Sequence, residues 1–393
     1  MRKENRYDVA IIGVGAVGSA ALYQLSKSKL KILALDSFDP PHSFGSSGGE
    51  SRIVRQAIGE GEHYAPLALR SYEIWSEIEH KVGQKLLHSV GGLVLSSIND
   101  SSNSQTNDFF WTTVQCAKKY HIHHEILDYK GIKRRFPEFN IQENTIGYYE
   151  TNAGYVVPEE CILAQIYLAK REGVELRFKE KVTQILNEGP ENICIQTNQS
   201  TYYASKVIIS VGSWVNNFVP KEIWHIFKVY RQVLYWFEMK DKSCFSQTKF
   251  PVFIWKFSPE LGSIYGFPAI HGAKGGVKIA THNVHTSTNI DLMDRQVSLQ
   301  EKEDFRQKFI APYLPTLGPL CLKASVCSYT VTPDEGFVID FAPGSQDVFL
   351  VSACSGHGFK HSAAIGEIAV NCVLENKSLK NMDYYSLKRF SDF

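Results

Sequence analysis

The chain has 393 residues, 44% of them hydrophobic and 21% charged, with Lys+Arg 42 against Asp+Glu 41 and a net charge of +1. That length suits one large domain or two ordinary ones with a substantial core, and the even charge offers no general attraction for nucleic acid. Eight cysteines without a CxxC pair read as reduced thiols, and composition, charge and cysteines together set aside disorder, collagen, a disulfide scaffold and a multi-span membrane protein.

Val9 to Ser26 carries no charge over 18 residues and follows a basic start, a pattern that imitates a signal peptide or membrane anchor. Gly13, Gly15 and Gly18 interrupt it, and the β-rich run from Val9 to Ile12 reads as a buried parallel strand. Ser19 to Lys27 has helical spacing, and a second apolar run from Ile32 ends on Asp36, 23 residues after Gly13. Strand, glycine loop, helix, strand, acid is the order of a dinucleotide site. The glycines allow a tight turn and close approach of backbone N–H groups to a pyrophosphate, and Asp36 can accept hydrogen bonds from ribose hydroxyls. The motif does not by itself separate FAD from NAD. Gly45 to Gly49 (GSSGG) lets backbone pass close to a ligand and leads to Arg52 and Arg55, whose spacing predicts one shared helical face.

Further along, Leu93 to Ser97 reads as a strand and Asp108 to Lys119 as a helix. His121 to Glu125 (HIHHE) resembles a metal-ligand cluster but lacks further paired ligands, so it reads as an exposed strand or turn with no metal. Lys133-Arg134-Arg135 reads as a charged helix end, Ile162 to Arg171 as a helix, and Val174 to Phe178 and Lys181 to Leu186 as strands. Lys206 to Trp214 reads as a buried strand entering a small-residue turn, where backbone passes beside a bound nucleotide. From Tyr230 the texture changes to alternating aromatic strands, continuing through 250–257, 262–268 and 276–281, as in an antiparallel sheet. Val348 to Ser352 is again a buried strand, followed by the glycine-rich Cys354 to Lys360 and a helix over 361–374. Lys360 stands at a helix start, where a cation opposes the helix dipole and calls for an anion nearby.

Seven stretches in this order resemble one known family: GVGAVG, FDPPHSFGSSGGESRIVR, YAPLALRS, YGFPA, VKIATH, CSYTVTPDEGFVID and SGHGFK. They span nearly the whole chain and are similar to the FAD-dependent monomeric sarcosine oxidase and N-methyltryptophan oxidase family, amine oxidases of the D-amino-acid-oxidase-like superfamily. With that resemblance the fold class is α/β: a discontinuous Rossmann-like FAD-binding domain over 1–85, 150–225 and 325–393, with an inserted, mainly antiparallel β-sheet substrate domain over 86–149 and 226–324.

The resemblance implies roles residue by residue. FAD would be held at Gly13, Gly15, Gly18, Asp36, Gly356 and Gly358 and linked covalently through Cys327. Arg55 and Lys360 would hold the substrate carboxylate. Arg52 and Lys278 would lie against the flavin, the lysine serving oxygen reactivity. His282, Tyr265, Tyr329 and His357 would line the substrate cavity. One departure is visible: Ser47 and Gly48 stand where the family often has two histidines.

The implied activity is oxidation of an N-methyl amino acid by hydride transfer to flavin, with oxygen as acceptor, giving hydrogen peroxide, formaldehyde and the demethylated amino acid. N-methyltryptophan and a cyclic imino acid such as pipecolate or proline are alternative substrates, and the TPDEGF stretch leans toward the N-methyltryptophan pattern. A non-catalytic protein that binds flavin and a carboxylate is the reading from another class. The expected partners are a small amino acid and O2, without nucleic acid or membrane, in a monomer. The ending Ser391-Asp392-Phe393 is not a peroxisomal tripeptide, and a cytoplasmic location is expected.

Overall fold

The computed structural model describes residues 5–97, 109–258, 260–282, 284–375 and 383–390. Residue 108, where the first of the mid-chain helices was expected to begin, and the terminal 391–393 lie outside the described residues.

The uncharged run near the start forms β1 (Arg6–Ile12), a glycine loop and α1 (Ala16–Leu25), and β2 (Ile32–Asp36) follows. These strands sit in the middle of a parallel array. Val348–Ser352, Thr201–Ile209, β1, β2 and Glu175–Phe178 lie side by side in that order. The hairpin Val182–Asn187/Ile193–Thr197 extends the sheet from Thr201–Ile209, and Val338–Phe341 adds an antiparallel edge to Val348–Ser352. Ile11, Ala34 and Ile208 are wholly buried, as strands covered on both faces must be. Each such isoleucine contributes about 1.5–3 kcal/mol relative to an exposed one. Helix α1 packs against the helices Pro158–Arg171 and Ser362–Glu375. Contact at the first turn is so close that a Cβ on Gly18 would lie 1.8 Å from the carbonyl oxygen of Gly13; only glycine permits it.

A second sheet of nine strands is mainly antiparallel and carries the aromatic texture read from the sequence. Its centre is Lys228–Met239, flanked by Val277–Thr281 and by the long strand Leu317–Val331. The hairpin Val252–Lys256/Ser263–Gly266 continues it, and Val252–Lys256 then runs parallel to Gly92–Ser97. Phe139, Phe237, Phe250 and Phe253 fill the core on one face of this sheet. Leu317–Val331 passes unbroken through residue 325, so a boundary drawn there divides one strand.

One detail differs from expectation. Residues 52–54 form a strand, β3 (Arg52–Val54), in a three-stranded sheet with Gly154–Val156 and Leu87–Ser89. Arg52 and Arg55 therefore do not share a helical face: in extended chain, residues three apart point to opposite sides. Strands of three residues are too short to show a period. The HIHHE stretch is a turn leading into the short strand Glu125–Leu127, and no group of three potential metal ligands occurs among the described residues.

Candidate functional site

A cavity of about 1010 Å³ runs between the two large sheets. At one end lies the glycine loop. The Val14 N–H donates to Asp36 Oδ2 at 2.7 Å, and the Phe38 N–H donates to Oδ1 at 2.9 Å. Burial pushes the Asp36 carboxyl above the usual carboxylate range, and these two amides, then His42, pull it back. Gly15 has no side chain to cap α1, the Ala16 N–H donates to Ser47 Oγ at 3.3 Å, and a Cβ at Gly15 would meet only that same oxygen, at 3.5 Å, among the described residues. The helix N-terminus is thus open toward the cavity, as a pyrophosphate cradle requires. The buried Ser362 hydroxyl, at the start of the C-terminal helix, also lines the cavity and makes no hydrogen bond among the described residues. These residues fit a dinucleotide cofactor.

The loop 46–51 is built around two cations. Arg52 donates to the carbonyls of Ser46, Gly48 and Ser51 at 2.7, 2.5 and 2.8 Å. Lys278, 2% exposed, donates to the carbonyls of Gly49 and Ser51 at 2.7 and 2.8 Å and meets Ser51 Oγ at 3.2 Å. Carbonyls that face the cations leave amides that face away. The N–H groups of Gly49 and Glu50 both donate to Glu159 Oε1, at 2.8 and 3.1 Å. Consecutive amides converging on one anion require left-handed backbone, and the loop supplies it: φ is 109° at Gly49 and 68° at Glu50. Glu159 lies in the first turn of Pro158–Arg171, where the helix dipole favours an anion. Burial, then Arg52, pushes the Lys278 ammonium well below its ordinary value, against Cys327 and Glu159.

The other end of the cavity holds a carboxylate clamp with a carboxylate already in it. Arg55 is 4% exposed and Lys360 5%. Arg55 donates to the Ala57 carbonyl and pairs with Glu60 Oε2. Lys360 Nζ pairs with Glu60 Oε1 at 3.2 Å and donates to the His357 carbonyl at 2.8 Å. Burial alone would raise the Glu60 carboxyl, but Arg55, Lys360 and His357 outweigh it and hold Glu60 well below the usual range. The anion that Lys360 calls for is Glu60.

Between the two ends stand the aromatic residues. The hydroxyls of Tyr265 and Tyr329 are 3.2 Å apart, and His282 leans on Tyr329 with ring centroids 5.6 Å apart. Burial pushes Tyr265 up to about 12 and Tyr329 well above its ordinary value, so both keep their protons. Burial also lowers His282, and it lowers His357 to about 3, so both rings are neutral near pH 7. His357 stacks on Phe337 and sits with Gly356 and Gly358 in the loop after Val348–Ser352.

Cys327 lies behind this wall. It is 3% exposed, in the strand that also bears Tyr329, and residues two apart share a strand face. Burial pushes its thiol up, while Arg52 and Lys278 pull it down. Gly18 and Lys278 likewise lie behind the cavity surface, and Gly48 and Gly49 of the glycine loop do not line it, whereas Gly13, Gly15, Asp36, Arg52, Arg55, Tyr265, His282, Tyr329, Gly356, His357, Gly358 and Lys360 do. Three residues of the site escaped the sequence reading. Glu60 stands in GEGEH and Glu159 in VPEEC, neither of which has a pattern, although an acid in a helix's first turn is a weak signal. Lys256 lines the cavity from an aromatic strand and reads there as a solvated residue.

The model of the FAD dependent oxidoreductase family matches residues 8–371. Monomeric sarcosine oxidase of Bacillus sp. (strain B-0618) is 33% identical over 385 residues, covering 98% of this chain and 96% of that protein. N-methyl-L-tryptophan oxidase of Escherichia coli (strain K12) is 34% identical over 388 residues, covering 98% and 100%. Among solved structures, the open form of NikD, an amino acid oxidase of nikkomycin biosynthesis, superposes with a TM-score of 0.82 at 20% identity over 97% of each chain. L-proline dehydrogenase from P. horikoshii gives 0.80 at 20% identity over 99% and 98%. These two likenesses speak to the fold.

Proposed function

This chain belongs to the FAD dependent oxidoreductase family, and from that premise we propose that it is an oxidase of N-methyl or other secondary amino acids. The observation that carries this reading is the convergence of Arg55 and Lys360 on one carboxylate in the cavity that holds the dinucleotide cradle. That Glu60 pairs with both cations supports reading them as a pair suited to a carboxylate. The full-length likeness to sarcosine and N-methyltryptophan oxidases supports the same reading.

The reaction balances as R–NH–CH3 + O2 + H2O giving R–NH2, formaldehyde and H2O2. FAD, when bound, supplies a hydride acceptor that is reoxidised by oxygen. The protein's part is to orient and to manage charge. Arg55 and Lys360 fix the substrate by its carboxylate, which converts an encounter into a set geometry. The amine must be neutral to react. In this reading His282, neutral and with no hydrogen bond from Nε2 among the described residues, would accept that proton. Tyr265 and Tyr329, both protonated, close the cavity with hydroxyl donors. Arg52 and Lys278 concentrate positive charge on the cofactor side, where negative charge develops during oxygen reduction.

Cys327 is the proposed covalent tether to the flavin. The cations Arg52 and Lys278 lower the cost of its thiolate. Acid precipitation of the purified protein should leave the yellow colour in the pellet; a colourless pellet removes the tether. The same reading takes the protein as a cytoplasmic monomer. It assigns 1–85, 150–225 and 325–393 to the cofactor domain and 86–149 and 226–324 to the substrate domain, with the boundary at 325 moved beyond the strand that crosses it.

Peroxide release from a panel of sarcosine, N-methyltryptophan, proline and pipecolate tests the activity. Neither flavin bleaching nor peroxide with any secondary amino acid would overturn it.

A further inference from the structure

Glu335 lies in a tight turn at the substrate end of the cavity, which it lines. Its N–H donates to the Thr332 carbonyl at 3.0 Å. The neighbouring Asp334 carboxylate accepts from Thr332 Oγ1 at 2.7 Å and from the Gly336 N–H at 3.0 Å, and it pairs with Arg389 at 2.7 Å. The turn so fixed holds Glu335 at φ 54°, in the left-handed region that few residues other than glycine adopt. Backbone of that kind, held in place by its surroundings, gathers at sites where a residue's groups must be aimed.

Both polar groups of Glu335 reach cavity histidines. Its carbonyl lies 3.1 Å from His357 Nε2; a carbonyl only accepts, so that nitrogen carries the proton of the neutral ring. Its carboxylate Oε2 lies 3.9 Å from His282 Nε2. That is too long for a hydrogen bond and short enough for an ion pair once His282 takes a proton. The carboxylate has no other ion pair or hydrogen bond among the described residues. Its neighbours are committed, Glu60 to Arg55 and Lys360 and Asp334 to Arg389. The side chain of Glu335 is also 58% exposed, so a proton that reaches it passes to water. Around His282, Glu335 and Glu60 favour the charged ring and Lys256 opposes it, with the Tyr329 ring and neutral His357 beside it.

Resting on the amino acid oxidase reading above, with His282 as acceptor of the amine's proton, we propose that Glu335 is a positioning residue that draws this proton out of the cavity. The N–H proton of R–NH2+–CH3 passes to His282 Nε2 and leaves the amine neutral. The imidazolium closes on Glu335, which takes the proton from the same nitrogen and gives it to water, restoring neutral His282. Only the proton moves in these steps, and the oxidation that follows is unchanged.

The experiment follows anaerobic bleaching of the flavin-loaded protein by the best secondary amino acid of the panel, and reads the ratio of Glu335→Gln to wild type across pH. Near pH 7 the amine arrives charged, and the variant should bleach about tenfold more slowly. As pH approaches the amine's own pKa, the substrate arrives neutral and needs no acceptor, so the deficit should close. Loss of the Lys360 charge affects both proteins alike and cancels in the ratio. Glu335→Asp keeps the charge and should keep most of the rate. Placed on His282→Asn, Glu335→Gln should add nothing. A ratio of unity near pH 7, a deficit of one size at every pH, or full additivity with His282→Asn overturns the proposal. If no secondary amino acid bleaches the flavin, the oxidase reading fails by itself, and NMR titration of His282 still judges the pair. The ring should lose its proton at lower pH in Glu335→Gln than in wild type; an unchanged midpoint overturns the role of Glu335.

Discussion

Arg55 and Lys360 are both almost fully buried, and Glu60 is what makes two such charges tolerable. Removing one member of a buried ionic group strands its partner. Arg55→Ala should therefore destabilise the fold by about 3 kcal/mol and weaken carboxylate binding on the order of 10²-fold. Adding Glu60→Ala should restore much of the stability, read by urea melts, and none of the affinity, read by inhibitor titration. A pH dependence follows from Lys360. Burial lowers its ammonium to about 8 against the pull of Glu60, and Arg55 pushes the same way as burial. Below that value Lys360 is charged and the clamp is complete; above it the ammonium is lost, while Glu60 stays anionic. The kcat/KM profile of the free enzyme should therefore fall as pH rises through about 8, and Lys360→Arg should remove that limb because a guanidinium stays charged. At this scale the sequence exposed cations that follow a glycine loop, because an unusual position is itself a signal. It did not expose Glu60, because a lone acid in a loop acquires meaning only from cations that arrive from residues 55 and 360.

The elements closest to the cofactor were the most legible. β1, the glycine loop, α1 and β2 each show their period, their breaker or their closing acid within a few residues. The loop 46–51 was legible only as a place for close approach. Its conformation depends on Glu159, more than a hundred residues away, whose carboxylate gathers the amides of Gly49 and Glu50 and so turns their carbonyls toward Arg52 and Lys278. Glu159→Gln keeps the shape but removes a charge that holds the Lys278 proton against burial and Arg52, so Lys278 gives up its charge more readily. We expect flavin reoxidation to slow by about tenfold, in line with loss of a charge-assisted bond, while anaerobic reduction changes little. Rapid mixing of the reduced protein with oxygen separates the two steps. The strand at Arg52 was misread as helix for the converse reason: three residues paired to a distant edge carry no period of their own.

Across the molecule, the cavity is walled by both large sheets, so a cofactor bound there bears on their mutual packing. In a Cys327→Ser protein, where any tether is absent, removing FAD should lower the melting temperature by several degrees. A ligand at a thousand times its Kd contributes about 4 kcal/mol. Restoring free FAD should reverse the change in a concentration-dependent way. The α/β ends and the aromatic β middle of this architecture were visible in the sequence as textures. The path of Leu317–Val331 was not, since nothing in fifteen residues of mixed character announces that one strand is shared between a sheet edge and a cavity wall.

Cys327 and Tyr329 stand two residues apart on that strand, about 6.6–6.8 Å along the chain, and the ladder to Gln232 and Tyr230 holds both. A sheet that bends or breathes carries the two together. The interval between the proposed tether and the cavity wall thus behaves as a graduation on a ruler, not as a gap between separately moving parts. Motion of the sheet as a whole would move the proposed tether and the cavity wall together.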